Sequence, residues 1–132
     1  MTLESFTIVL PLPSRVLSPN CMIATIGGRM MKATAAKKYR RLAMEAVLAA
    51  FPEGDTELYP WGVAGVKATF FYSNHRKRDQ DNAIASLKAA YDGIVDSGLV
   101  EDDDYEHMKR ESPAFLLDKN NPCVILEITQ LS

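Results

Sequence analysis

Cysteine and histidine are scarce in this chain of 132 residues, with two of each: Cys21 and Cys123, His75 and His107. The cysteines lie far apart and match no metal-ligand spacing, which argues against a structural zinc site and reads as reduced thiols in a cytosolic protein. No apolar run reaches the ~20 residues needed to span a bilayer, so no membrane partner is expected. The opening MTLESFTIVLPLPSR has no basic stretch ahead of its apolar part and carries Glu4, so it reads as a first strand rather than a signal peptide. An excess of basic charge is also missing. Fifteen Lys and Arg face 17 Asp and Glu, for a net charge of −2, so the total charge gives no argument for a polyanionic partner. No repeat or low-complexity tract appears. What remains is ordinary for a soluble globular chain, 47% hydrophobic and 24% charged, and long enough for one domain over 1–132 with a real core.

The distribution of charge carries more than its total. GRMMKATAAKKYRR, residues 28 to 41, holds six Lys or Arg and no acid, and Arg76, Lys77 and Arg78 add three more. Acids gather instead at Asp79 and Asp81 and between Glu101 and Glu106. That separation suits a polyanion on the first group and a cation on the second.

Period-two alternation marks strands at about 5–11, 62–72 and 123–130, with Pro11 and Pro13 ending the first. In the second, Val66, Ala68, Phe70 and Tyr72 point one way and Lys67, Thr69 and Phe71 the other. SRVLSPNCMIATIGG reads as a loop broken by Pro19, Asn20 and the Gly27–Gly28 pair. A helix is expected from Thr34, a potential N-cap, to Phe51, with Tyr39, Leu42, Ala46 and Ala49 or Ala50 on one face. A second helix is expected at about 81–96, closed by Ser97 and Gly98. His107 to Ser112 reads as an extended stretch or an edge strand, since Pro113 argues against a central one. Glu57 to Trp61 reads as a loop that packs its aromatics. Alternating strands and helices give an α/β (α+β) class: a small mixed β-sheet with two main helices packed on it.

The second helix is bracketed by carboxylates. At about 100° per residue, Ile84, Leu87, Tyr91, Ile94 and Val95 share an apolar face. With Asp81 at zero, Lys88 falls near −20° and Asp92 near +20°, so the three form one polar stripe beside that face. Asp79 and Asp81 have two readings. Aspartate is favoured at N-caps and in first turns, where it accepts orphan N–H groups and complements the helix dipole. Two acids one residue apart after a strand also suit a hard cation such as Mg²⁺, which takes one or two carboxylates with water and phosphate oxygens. The run Glu101–Asp104 is either a solvated loop or the source of a further carboxylate.

RDQDNAIASLKAAYDGIVDSGLVEDDD, residues 78 to 104, resembles the signature of the RusA-like Holliday junction resolvases, endonucleases common in prophages. The matching residues are Arg78, Asp79, Asp81, Asn82, Lys88, Asp92, Gly98, Asp102 and Asp103, and LPLPSRVLSPN is similar to the proline-rich opening of phage members, with Arg15 and Asn20 lining the site. The resemblance implies a bacterial cytoplasmic homodimer that binds a four-way DNA junction and makes paired symmetric nicks with Mg²⁺ or Mn²⁺. By the same resemblance Asp79, Asp81 and Asp103 are metal-binding carboxylates and Lys88 is the catalytic lysine. Asn82, Asp92 and Asp102 support them. In the best-known branch the lysine follows the second aspartate by four residues, and here by seven. Three extra residues are nearly one helical turn, which keeps Lys88 on the Asp81 face.

Lys37, Lys38 and Arg41 on the first helix, with Arg76, Lys77 and Arg78 beside the acids, are the candidate contacts to DNA phosphates, which position a duplex without reading its sequence. Two symmetric nicks call for two active sites about a twofold axis. The apolar residues of 22–31 and the C-terminal strand are candidate dimer surfaces. His75 and His107 read as surface or supporting groups, since Mg²⁺ sites favour oxygen. Two other functions fit the same residues: a Mg²⁺-dependent nuclease for flaps or other branched DNA, and a non-catalytic DNA-binding protein on the same scaffold.

Overall fold

A computed structural model describes residues 4–18, 25–50, 60–76 and 78–132. The strands are β1 (Ser5–Leu10), β2 (Ala64–Tyr72), β3 (Met108–Arg110), β4 (Ala114–Leu117) and β5 (Cys123–Gln130), and the helices are α1 (Ile26–Ala50), α2 (Gln80–Ala85) and α3 (Lys88–Asp96). β5 lies between β1 and β2 and runs antiparallel to both. On its other edge β2 pairs parallel with two short strands, β3 along Ala64–Val66 and β4 along Thr69–Tyr72. The sheet is therefore mixed and five-stranded, and the fold is α+β.

Alternation decides which side of the sheet is covered. Ile8 and Leu10, Val66, Ala68 and Phe70, and Val124, Leu126 and Ile128 are buried, while Thr7, Val9, Lys67 and Glu127 between them are exposed. Against the buried set pack Tyr39, Ala43 and Val47 of α1 and Ala90, Tyr91 and Ile94 of α3, in one continuous core. Trp61 closes its end, meeting Phe6 edge to face at 6.0 Å and bridging to Val100. Cys123 is a buried free thiol, and Cys21 lies outside the described residues. Among the described residues no helix is long and apolar enough to cross a membrane.

Two expectations need correction. α1 begins at Ile26, eight residues before Thr34, which is interior to it. Thr25 caps it, its Oγ1 accepting from the Gly28 N–H at 3.0 Å, and the Gly27–Gly28 pair is drawn into the first turn. Glycine lowers helix propensity but does not forbid helix, and the long run of good formers after it carries the turn. The second helix is two: Ser86 and Leu87 stay in the right-handed region, but Leu87 N–H bonds to Ile84 O, a three-residue step that tightens the helix between α2 and α3. The edge strand expected within 107–112 is present as β3, and a second short strand, β4, follows Pro113, which cannot donate to a ladder and separates the two. Residues 51–59, with most of the expected aromatic loop, lie outside the described residues.

The helices approach closely where α3 carries no side chain. A Cβ placed on Gly93 would stand 2.2 Å from Arg40 O and 2.9 Å from Ala43 Cβ, so only glycine lets α1 and α3 lie at this distance. Arg40 and Asp96 form an ion pair across the same interface through two hydrogen bonds. This contact fixes where Lys88 and Asp92, on the same helix, stand relative to the core.

Candidate active site around α2 and α3

β2 ends at Tyr72, and the turn after it is built on Asn74. Asn74 Oδ1 accepts from Arg76 N–H at 3.1 Å and from the Arg78 guanidinium at 2.9 Å. A second guanidinium nitrogen of Arg78 donates to Asn74 O and Arg76 O at 3.1 and 3.0 Å. These bonds hold the guanidinium over the Tyr72 ring, 3.9 Å from its centroid. Asp79 then caps α2: its backbone is extended and its Oδ1 accepts from Asp81 N–H at 2.9 Å. Asp81 is exposed in the first turn, where a negative charge is favoured by the helix dipole.

A groove of about 270 Å³ runs past this cap, lined by Arg15, Ser18, Tyr72, Arg78, Asp79, Asn82 and Ser86 among others. Arg15 reaches it because the segment after β1 is tied down. The Tyr39 hydroxyl donates to Pro11 O at 2.7 Å, and Ser14 Oγ accepts from Val16 N–H, capping a single 3-10 turn over Arg15–Leu17. Burial pushes the Tyr39 hydroxyl well above the ordinary phenol range, so it stays a donor at any working pH.

Two turns beyond Asp81, about 10 Å along the helix, Lys88 opens α3. Its ammonium donates to Asp92 Oδ1 at 2.8 Å and to Asp103 Oδ2 at 2.5 Å. The expected stripe thus includes a real i,i+4 pair, and the ammonium bridges it to the acidic loop. Those hydrogen bonds, Asp103 first and Asp92 second, raise the Lys88 pKa, and the Lys88 ammonium holds the Asp103 carboxyl below the usual carboxylate range. The Asp103 side chain is 16% exposed and that of Lys88 63%, so the carboxylate is the shielded partner and the ammonium keeps an open face.

Which acid of the loop turns inward is decided by its local bonds. Gly98, at φ 88°, reverses the chain after α3, and buried Leu99 and Val100 anchor the acidic loop to the core. Asp102 Oδ1 accepts from Asp103 N–H at 2.7 Å. Asp104 Oδ1 accepts from the N–H groups of Glu106 and His107 and meets His107 Nδ1 at 2.7 Å, with Glu101 3.6 Å from the other ring nitrogen. Asp104 is thereby committed to its own turn, leaving Asp103 to Lys88.

Arg110, on β3, had no signal in the sequence. It donates to Asp103 O at 2.9 Å and to Asp103 Oδ2 at 3.4 Å, and its guanidinium lies 4.2 Å from the centroid of the Tyr91 ring. It holds the loop by both main chain and side chain. The turn at Asp104 and the pairing of β3 with β2 bring it there, and no periodic spacing announces it.

The site residues therefore form two groups. Arg15, Arg78, Asp79 and Asn82 share the groove, and Lys88, Asp92 and Asp103 share an ion-pair network with Arg110. Among the described residues no hydrogen bond or ion pair joins Asp79 or Asp81 to the second group. Lys37 and Arg41 line a groove between α1 and α3 with Arg40, Asp92 and Asp96, and Lys38 is exposed beside it. Arg76 is exposed on the turn after β2, while Asn20 and Lys77 lie outside the described residues. Among the described residues no group of three or more His, Cys, Asp or Glu side chains is gathered to hold a metal ion. The donor chemistry of Asp79 and Asp81 still suits a hard cation held by one or two carboxylates. Asp79 Oδ2 and both Asp81 oxygens accept no hydrogen bond from the described residues. Compared with known proteins, the chain matches no protein-family model and no curated protein.

Proposed function

We propose that the chain is a Mg²⁺-dependent structure-specific endodeoxyribonuclease of the RusA-like kind, resolving four-way DNA junctions by paired nicks as a homodimer. The observation that supports this most is the Lys88 ammonium held between Asp92 and Asp103 at the start of α3, directly after the short helix that Asp79 caps and Asp81 opens. A solvated surface lysine does not need a 16% exposed carboxylate fixed in turn by an arginine from another strand.

In this reading Asp79 and Asp81 hold the divalent ion, with Asp103 as the further carboxylate. When bound, Mg²⁺ polarises a phosphodiester and lowers the pKa of water. Lys88 presents a fixed positive charge to the phosphate as negative charge builds on its oxygens, and that charge is preorganised by two carboxylates before DNA arrives. Arg15 and Asn82 flank the strand in the groove at Asp79. Lys37, Lys38 and Arg41 take backbone phosphates further along the duplex.

The test is a panel of synthetic DNAs incubated with the purified chain: four-way junction, flap and linear duplex, each with Mg²⁺ and with chelator. Junction cleavage that needs Mg²⁺ and exceeds flap cleavage supports the reading. Cleavage of flaps alone transfers the activity to another branched substrate, and binding without cleavage of any DNA refutes an enzyme.

A further inference from the structure

A second cavity, about 420 Å³, adjoins the groove at Asp79. Tyr72 and Arg78 line both, so the two spaces meet at the guanidinium over the Tyr72 ring. The cavity is lined by Asn74, His75, Arg76 and Gln80 on one side and by Phe115, Leu116 and Leu117 of β4 on the other. Two of its lining residues are arginines and none is an acid. Phe70, Phe115 and Tyr72 lie nearly parallel, with interplanar angles of 6° to 16°, and Leu116 and Leu117 at the sheet edge are exposed.

Resting on the endonuclease reading, we infer that this cavity takes one unpaired nucleotide of the strand whose phosphate lies at Asp79. Three features argue for that occupant. Arg78 has both terminal guanidinium nitrogens engaged by Asn74 and Arg76 and stands over an aromatic ring, 3.9 Å from its centroid, which leaves its outer plane as a platform for stacking. Unpaired bases stack on such guanidinium planes and on aromatic rings. Leu117 and Phe115 supply apolar lining, while Arg76, which is exposed, matches the charge of the nucleotide's phosphate. A fully paired duplex keeps its bases stacked on their neighbours and has none to offer without the cost of extrusion. The cavity therefore favours DNA with unpaired or weakly stacked bases beside the cut, which is what distinguishes a branch point from a linear duplex.

The probe is a DNA duplex with a short single-stranded tail whose first unpaired base is 2-aminopurine, compared with the same duplex fully paired. The protein is the full chain carrying Asp81→Asn, in chelator, so that nothing is cut. Stacking in the cavity quenches the tail fluorescence by about threefold on saturation. Leu117→Glu in the same background removes the quench and lowers the ratio of tailed to paired affinity by about tenfold, within the range of one base stack. An unquenched tail at saturation, or a ratio within about twofold of the parent, overturns the inference. The quench on the Asp81→Asn chain alone decides it if Leu117→Glu does not fold. A chain that quenches but whose unsubstituted form cuts no DNA with Mg²⁺ refutes the endonuclease reading and keeps the cavity. One that cuts junctions without quenching refutes the cavity alone.

Discussion

Gly93→Ala is the perturbation whose effect the packing fixes most tightly. The new methyl would begin 2.2 Å from Arg40 O and 2.9 Å from Ala43 Cβ. The first of these is backbone in the middle of a 25-residue helix and has no rotamer to move. Reaching the 3.0 Å below which real Cβ contacts essentially never occur takes a separation of about 0.8 Å between α1 and α3. Overpacking of this kind costs about 1–3 kcal/mol, and the gain in helix propensity from Gly to Ala returns about 1. The net expectation is a loss of about 0–2 kcal/mol, lowering Tm by up to several degrees in a domain of this size. Urea or thermal unfolding followed by circular dichroism measures it, with the slope m checked for constancy. A Gly93→Ala chain more stable than the parent by about 1 kcal/mol, the full gain in helix propensity, would refute the close α1–α3 packing and the positioning of Lys88 and Asp92 that depends on it.

Three other outcomes are expected. Lys88→Ala lowers junction cleavage by about 10²–10³, as for loss of one preorganised charge, yet changes stability by less than about 1 kcal/mol, because its side chain is 63% exposed; cleavage assays beside unfolding curves separate the two. The His107 pKa is raised first by its hydrogen bond to Asp104, and the Asp104 carboxyl is lowered by the same bond. The loop pairing is thus full below the ordinary imidazole value of about 6.5 and lost as pH rises through the raised His107 pKa. At the acid end it is lost as pH falls through the lowered Asp104 pKa, and an NMR titration of His107 in the parent and in Asp104→Asn should show the midpoint fall in the variant. DNA binding weakens steeply with salt, by about 100-fold between about 50 and 200 mM if four phosphates are neutralised, and a flat response in fluorescence anisotropy would remove the phosphate contacts assigned to Lys37, Lys38 and Arg41.

Local pattern made much of the fold legible. The alternation in VKATFFY fixed the buried face of β2, and CVILEITQ gave β5 at its observed limits. The start of α1 was hidden because Gly27–Gly28 usually breaks a helix, and Thr25 capped it from within the supposed loop. β4 was hidden because its pairing with β2 is non-local and only four residues long. In the candidate site, helical period alone predicted that Lys88 and Asp92 would meet. That Asp103 faces Lys88 while Asp104 turns to His107 depends on turn bonds with no periodic signature. Arg110 lies only seven residues beyond Asp103, but the turn at Asp104 and the pairing of β3 with β2 that bring the two together leave no periodic signal.

The central claim is that the acids beginning α2 carry metal-dependent phosphodiester cleavage. Its most direct measurement compares the parent and Asp81→Asn on one end-labelled four-way junction across a Mg²⁺ titration, with binding followed in parallel. The account predicts paired, symmetric nicks that need Mg²⁺ in the parent. In Asp81→Asn it predicts cleavage lower by at least about 100-fold with junction affinity kept or tightened, since one anion has left a phosphate site. Equal nicking by both proteins, or no nicking by the parent at any Mg²⁺ concentration, would contradict it.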